Sequence, residues 1–260
     1  MTFSYKNTSV HYNSIGTGRA IVLLHGFLEN SSMWDVISES LLKKYRVVCI
    51  DLLGHGATEN HGYIHTMQEQ AEMVVAVLKY LRLRKYIIIG HSMGGYIALE
   101  ISKIVPKNLK GLCLMNSTAL PDSEEKKINR DRAIVAVKQN HKTFVRIAIP
   151  MLFSEGNRAV FTSEIKEITN EALEMSPQGI IAALEGMKIR KSNTQIYKNA
   201  VFPILMIIGK QDPALDYNSL IAQTKNTNAQ VIEFPDGHMS HIENKDALIT
   251  TLISFTKHLN

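Results

Sequence analysis

Cysteine and tryptophan are scarce in this chain, with two and one among 260 residues, and no apolar run is long. The longest apolar stretches reach about seven residues, far short of the ~20 that a membrane-spanning helix needs, so no membrane partner is expected. Cys49 and Cys113 both sit inside apolar runs and neither belongs to a Cys-x-x-Cys pair, which argues against zinc or redox chemistry. They read as small buried hydrophobes in a reducing, cytoplasmic setting. The N-terminus carries neither a basic start nor an apolar stretch, so no signal peptide is expected. A net charge of +5 is mild, and the basic cluster Arg82-Leu83-Arg84-Lys85 has no aromatic residues interleaved with it. It reads as a solvated helix end, and no nucleic-acid partner is expected. His61 and His65 stand at helical i, i+4 spacing, but they flank Gly62 in a turn-rich stretch without an intervening carboxylate. They read as a surface loop, and neither metal nor cofactor is expected.

What is present is an alternation of strand-length apolar runs with amphipathic segments. The runs are Ala20–Leu24, Arg46–Asp51, Tyr86–Gly90, Gly111–Asn116, Pro203–Gly209 and Gln230–Phe234. Most are continuous, as parallel strands covered on both faces should be. Met33–Leu42, Met67–Leu81, Gly94–Ile104 and Asp246–His258 carry apolar residues three and four apart and read as helices. Phe3–Lys6 and Val10–Asn13 predict a short antiparallel edge. The expected fold is α/β: a mostly parallel eight-stranded sheet with helices on both faces.

From Ser117 to Ala200 no convincing strand occurs, only the helical segments Glu124–Gln139, Lys142–Phe153, Ser163–Glu174 and Pro177–Met187. The chain thus divides into a core, residues 1–117 and 201–260, and an inserted helical lid, residues 118–200.

Active sites of such sheets form at strand C-terminal ends. Gly90-His91-Ser92-Met93-Gly94 follows one predicted strand and opens a predicted helix, which is the setting of a G-x-S-x-G nucleophile elbow. Glycines flanking the serine let strand and helix pack closely around a strained turn. His25-Gly26-Phe27 ends an earlier strand; the backbone N–H groups of Phe27 and Met93 are the candidate pair of oxyanion donors. A serine needs a base and the base an orienting acid. Asp212 follows the strand ending at Gly209, and His238 follows the last strand. The chain order Ser, Asp, His is a known order for such triads. Asp216 and Asp236 compete with Asp212, and His241 competes with His238. Asp212 stands nearer its strand end and precedes Pro213, while His241 falls nearer the final helix, facing solvent or the lid. Candidate substrate contacts are Met151, Leu152, Leu184 and Met187 in the lid, with Ile147 and Phe153 as further apolar positions, and Trp34 beyond Phe27.

His25-Gly26-Phe27, Asp51-Leu52-Leu53-Gly54-His55-Gly56, Gly90–Gly94, Gly209–Asp212 and Gly237-His238 with Glu243 together resemble the α/β-hydrolase superfamily. The similarity is to its lid-bearing branch of carboxylesterases, enol-lactonases, cofactor-free haloperoxidases and carbon–carbon bond hydrolases. It spans residues 1–117 and 201–260, and Leu53 stands where the branch usually has proline. The resemblance implies that Asp51–Gly56 shapes the sheet edge beside the site without a catalytic role for Asp51 or His55. Serine at position 92 sets the chain apart from epoxide hydrolases and haloalkane dehalogenases of this fold, whose nucleophile is aspartate.

The expected activity is hydrolysis of a small, fairly apolar ester, thioester or lactone, the partner being a small-molecule acyl substrate. Carbon–carbon bond cleavage by the same triad would need cations for substrate carboxylates; Arg190 and Lys191 are candidates, although a solvated face also accounts for them. A third alternative, from another class, is a ligand sensor that keeps the triad. Oligomeric state leaves no mark in the sequence.

Overall fold

The structure is a computed structural model, and it describes residues 1–259. Eight strands form one sheet in the order β1-β2-β4-β3-β5-β6-β7-β8. They are β1 (Thr2–Tyr5), β2 (Thr8–Ile15), β3 (Arg19–Leu24), β4 (Tyr45–Ile50), β5 (Tyr86–His91), β6 (Leu109–Met115), β7 (Ile204–Gly209) and β8 (Gln230–Phe234). β1 and β2 pair antiparallel at one edge; from β4 to β8 all neighbours run parallel. The helices are α1 (Asp35–Leu41), α2 (Met67–Tyr80), α3 (Met93–Ile104), α4 (Glu124–Ala148), α5 (Asn157–Val160), α6 (Thr162–Leu173), α7 (Pro177–Lys188), α8 (Thr194–Asn199), α9 (Tyr217–Thr224), α10 (Ser240–Glu243) and α11 (Lys245–Lys257).

Side-chain alternation explains why the central strands are apolar throughout. Val22, Leu24, Val48, Ile50 and Ile88 face one way and pack with α2 and α3 through Val74, Leu78, Ile97 and Ile101. Ile21, Leu23, Val47, Ile87 and Ile89 face the other way and meet Trp34, Ile37 and Leu41 with Leu248, Leu252 and Phe255. Cys49 and Cys113 are free and buried in this second layer.

Helix starts follow their caps: the Thr66 side chain accepts from Glu69 N–H, Ser123 from Lys126 N–H, and Ser176 from Gly179 N–H ahead of Pro177. Between β6 and β7 run α4 to α8, with no strand among the described residues. Within α4 the two helices expected over residues 124–153 are present, broken apart at the extended Asn140 (φ −159°, ψ 92°), whose side chain caps the second helix through Thr143 N–H. Its end at Ala148, short of Phe153, reflects Pro150, which opens a 3₁₀ turn over Pro150–Leu152. Short helices α8, α9 and α10 are too brief for the periodicity that marks the longer ones. No helix of the described residues is long and apolar enough to cross a membrane.

Candidate active site

Ser92 joins β5 to α3 with φ 49° and ψ −113°, a left-handed conformation that lifts a non-glycine side chain out of the turn. The turn is tight. A Cβ on Gly94 would lie 2.3 Å from the Leu24 carbonyl oxygen, so only glycine lets the start of α3 press against the end of β3. Ser92 N–H donates to the Met115 carbonyl, and Ser117 Oγ donates to the Ser92 carbonyl, so both sides of the elbow are tied to the end of β6.

Opposite Ser92, the loop after β8 delivers His238. Its Nε2 lies 2.9 Å from Ser92 Oγ and its Nδ1 2.7 Å from Asp212 Oδ2. Those distances fit Ser92 O–H donating to Nε2 while Nδ1–H donates to the carboxylate. Asp212 Oδ1 accepts from the N–H groups of Ala214 and Leu215, and Asn116 Nδ2 donates to Oδ2 at 3.2 Å. Burial works against ionisation of Asp212, but His238 and these donors outweigh it and hold the carboxyl below its ordinary range.

The base-bearing loop is anchored on several sides. His238 N–H donates to the Leu152 carbonyl at 3.0 Å, and Asn116 Nδ2 also donates to the Gly237 carbonyl. Glu243 accepts from the backbone and hydroxyl of Ser154, from Asn157 and from Met239 N–H, joining this loop to the segment after α4. A Cβ on Gly237 would meet Ser154 N at 2.5 Å, which accounts for glycine before the histidine. Beneath the elbow, His91 Nδ1 lies 2.7 Å from Glu29 Oε2, and Nε2 donates to the His238 carbonyl at 3.0 Å. Burial alone would raise Glu29, yet the neighbouring His91 charge lowers it to about 2; Glu29 in turn raises His91 against its own burial.

A cavity of about 610 Å³ opens at Ser92 and His238. Phe27, Tyr96, Leu152, Leu184 and Met187 line it, and Lys126 and Arg130 reach it from α4. Met93 is fully buried in the first turn of α3 beside Ser92. A single carboxylate, Asp122, pairs with both Arg130 and Arg190.

Several sequence expectations are corrected here. Trp34 is not a pocket residue: it is fully buried in the layer under α1 and α11. Met151 and Ile147 are exposed, and Phe153 is fully buried against Phe161. In a 3₁₀ turn successive side chains point about 120° apart, so Leu152 faces the cavity while Met151 faces out. Arg190 is no solvated residue, being buried on Asp122 and stacked 4.1 Å over the Tyr96 ring, and it does not line the Ser92 cavity. His241 does not face solvent: it is buried 5.5 Å from the His91 ring, on the wall of a cavity that it shares with Glu164, Glu167 and Glu171 of α6. His65 is buried too, because its loop is clamped against α7 through His65 N–H and the Ala182 carbonyl. The rival carboxylates have other work: Asp216 caps α9 and Asp236 accepts from Asn244. Asn116 and Glu29 escaped the sequence reading, although a polar residue ending β6 at the same sheet edge was a usable signal for Asn116.

A family profile described as alpha/beta hydrolase fold matches residues 19–148. The chain belongs to the α/β-hydrolase fold family. Among curated proteins, the mesoderm-specific transcript homolog protein of Homo sapiens is 26% identical over 270 aligned positions, covering 92% of this chain and 79% of that protein. Among solved α/β-hydrolase structures, a thermophilic esterase from Thermogutta terrifontis superposes with a TM-score of 0.92 at 27% identity, over 99% of this chain and 97% of that one. The enol-lactonase of Burkholderia xenovorans LB400 superposes with a TM-score of 0.91 at 21% identity, over 99% of this chain and all of that one (100%), a likeness of fold.

Proposed function

We propose that this α/β-hydrolase is a serine hydrolase that cleaves a small, fairly apolar carboxylic ester, thioester or lactone through an acyl-enzyme. Ser92 attacks the carbonyl carbon as His238 takes its proton. Asp212 holds the imidazole in the reactive tautomer and stabilises its charged form. The N–H groups of Phe27 and Met93 receive the oxyanion. His238 then protonates the leaving group, and water activated by His238 releases the acid. The observation that carries the reading is the unbroken chain Ser92 Oγ–His238 Nε2 at 2.9 Å and His238 Nδ1–Asp212 Oδ2 at 2.7 Å. The esterase relative from Thermogutta terrifontis supports it over nearly the whole chain. In this reading α4–α8 act as the lid, with Leu152, Leu184 and Met187 as the apolar wall of the acyl pocket.

Carbon–carbon bond cleavage by the same residues is favoured by one observation, the cationic Lys126 at the cavity, since Arg130 beside it is already paired with Asp122. A panel of p-nitrophenyl esters of increasing acyl length, set beside carboxylate-bearing β-diketones, separates the two. Burst release of p-nitrophenol followed by steady turnover is expected. Cleavage of the diketones with no ester turnover would replace the esterase reading by the second one.

A further inference from the structure

Three buried side chains converge beside the elbow and exchange no proton or bond in the acyl-transfer steps, although Glu29 and His91 also border the Ser92 cavity. Glu29 follows β3, His91 ends β5 and His241 lies in α10, with relative exposures of 5%, 1% and 8%. Glu29 Oε2 lies 2.7 Å from His91 Nδ1, and Glu29 Oε1 lies 3.6 Å from His241 Nε2. That second gap is too long for a hydrogen bond. Glu29 Oε1 has no hydrogen-bond partner among the described residues. A buried carboxylate oxygen left unpaired loses its hydration with nothing in return, so it calls for an occupant.

We propose that Glu29, His91 and His241 form a binding site for one divalent zinc-class ion. One ligand atom from each residue can be chosen so that all lie within 4.8 Å of one another. A tetrahedral ion with bonds of about 2.0–2.2 Å separates its ligands by roughly 3.3–3.5 Å, so no pair need close by more than about 1.3 Å, and the Glu29–His91 pair opens by about 0.6–0.8 Å. Two imidazoles with one carboxylate suit zinc better than magnesium or calcium, which prefer all-oxygen shells. His91 is already oriented as a ligand. Its Nε2–H donates to the His238 carbonyl, the kind of outer hydrogen bond that fixes a metal-bound imidazole, and this leaves Nδ1 for the ion in place of a proton.

An entrance is present as well. A second cavity, about 260 Å³, is walled by Glu29 and His241 and carries Glu164, Glu167 and Glu171, against one cation, Lys245. Its negative charge draws cations inward, and it has room for a water as the fourth ligand. The inference is independent of the hydrolase reading, because the site shares no side chain with Ser92, His238 and Asp212 and its occupancy is read without substrate.

The test is calorimetric titration of the chelator-treated full chain with zinc chloride, repeated with cobalt(II) followed by its visible absorption. One saturable ion per chain is expected, with the intense absorption of tetrahedral cobalt. Glu29→Gln and His241→Asn should each weaken binding about tenfold or more, and His258→Asn on the surface should leave it unchanged. Should Glu29→Gln fail to fold, His241→Asn, at the cavity wall, carries the comparison. Absence of saturable binding to the wild-type chain, or affinity undiminished in His241→Asn, overturns the proposal.

Discussion

His91 Nε2 donates to the main-chain carbonyl of His238 at 3.0 Å, so the residue before the candidate nucleophile holds the loop that carries the candidate base. With His91 Nδ1 committed to Glu29, the imidazole cannot swing away without leaving a buried carboxylate unpaired. His91→Leu should therefore lower kcat about tenfold or more while changing KM little, because the displaced base matters most in the transition state. Steady-state kinetics on a p-nitrophenyl ester reads this. A rise in KM at constant kcat would assign His91 to substrate binding instead.

Competing residues for base and acid separate in the same assay. His238→Ala should reduce turnover on the order of a thousandfold or more, and His241→Asn only a few-fold. Asp212→Asn, which removes the acceptor that sets the tautomer, should lose roughly 10⁴-fold. Asp216→Asn should stay within a few-fold, because its carboxylate caps α9 and asparagine caps nearly as well. Comparable collapse in His241→Asn or Asp216→Asn would reassign the roles.

The elbow turn, the residues that meet it and the positions of the strands along the chain were legible because each depends on local signals: glycine pairs, apolar runs, and polar residues just past strand ends. Trp34 and Met151 were misread because a side chain's direction depends on turn geometry and on which layer lies behind it. Buried polar residues were hardest. Arg190, His65 and Glu29 look like surface residues until Asp122, the α7 backbone and His91, all distant in sequence, are brought beside them.

Chain-length preference should follow the residues that face the cavity. Leu152→Ala or Met187→Ala should shift the ratio of rates on long and short acyl esters tens-fold toward long ones, a contact worth about 1–3 kcal/mol. Met151→Ala, on the exposed side of the same turn, should leave that ratio alone. Relative rates unmoved by any of the cavity substitutions would remove the lid as the specificity element.

Stability should fall as pH drops from about 6.5 toward 4. Burial lowers His25, pushes His55 down to about 3 and His65 down to about 4, from an ordinary 6.5. Leu52 N–H donates to His25 Nε2 and His61 N–H to His65 Nε2, so both rings are held neutral. In that window the unfolded chain binds protons that the folded chain refuses, which favours unfolding. Each such histidine adds up to about 1.4 kcal/mol per pH unit to the slope. Glu29 extends the loss below pH 4.5, whereas His91, raised by Glu29, is protonated in both states below about 6.5 and adds no slope in this window. Urea unfolding at pH 7, 6, 5 and 4 measures the slope; equal stability at all four would contradict the neutral assignments.

The central claim is that Ser92, held at φ 49° at the head of α3 with its hydroxyl 2.9 Å from His238, is the nucleophile. The most direct measurement is ester turnover by Ser92→Ala, paired with its urea unfolding curve. The account predicts loss of turnover on the order of a thousandfold or more with a wild-type unfolding midpoint. Near-normal turnover by a natively folded Ser92→Ala would contradict it.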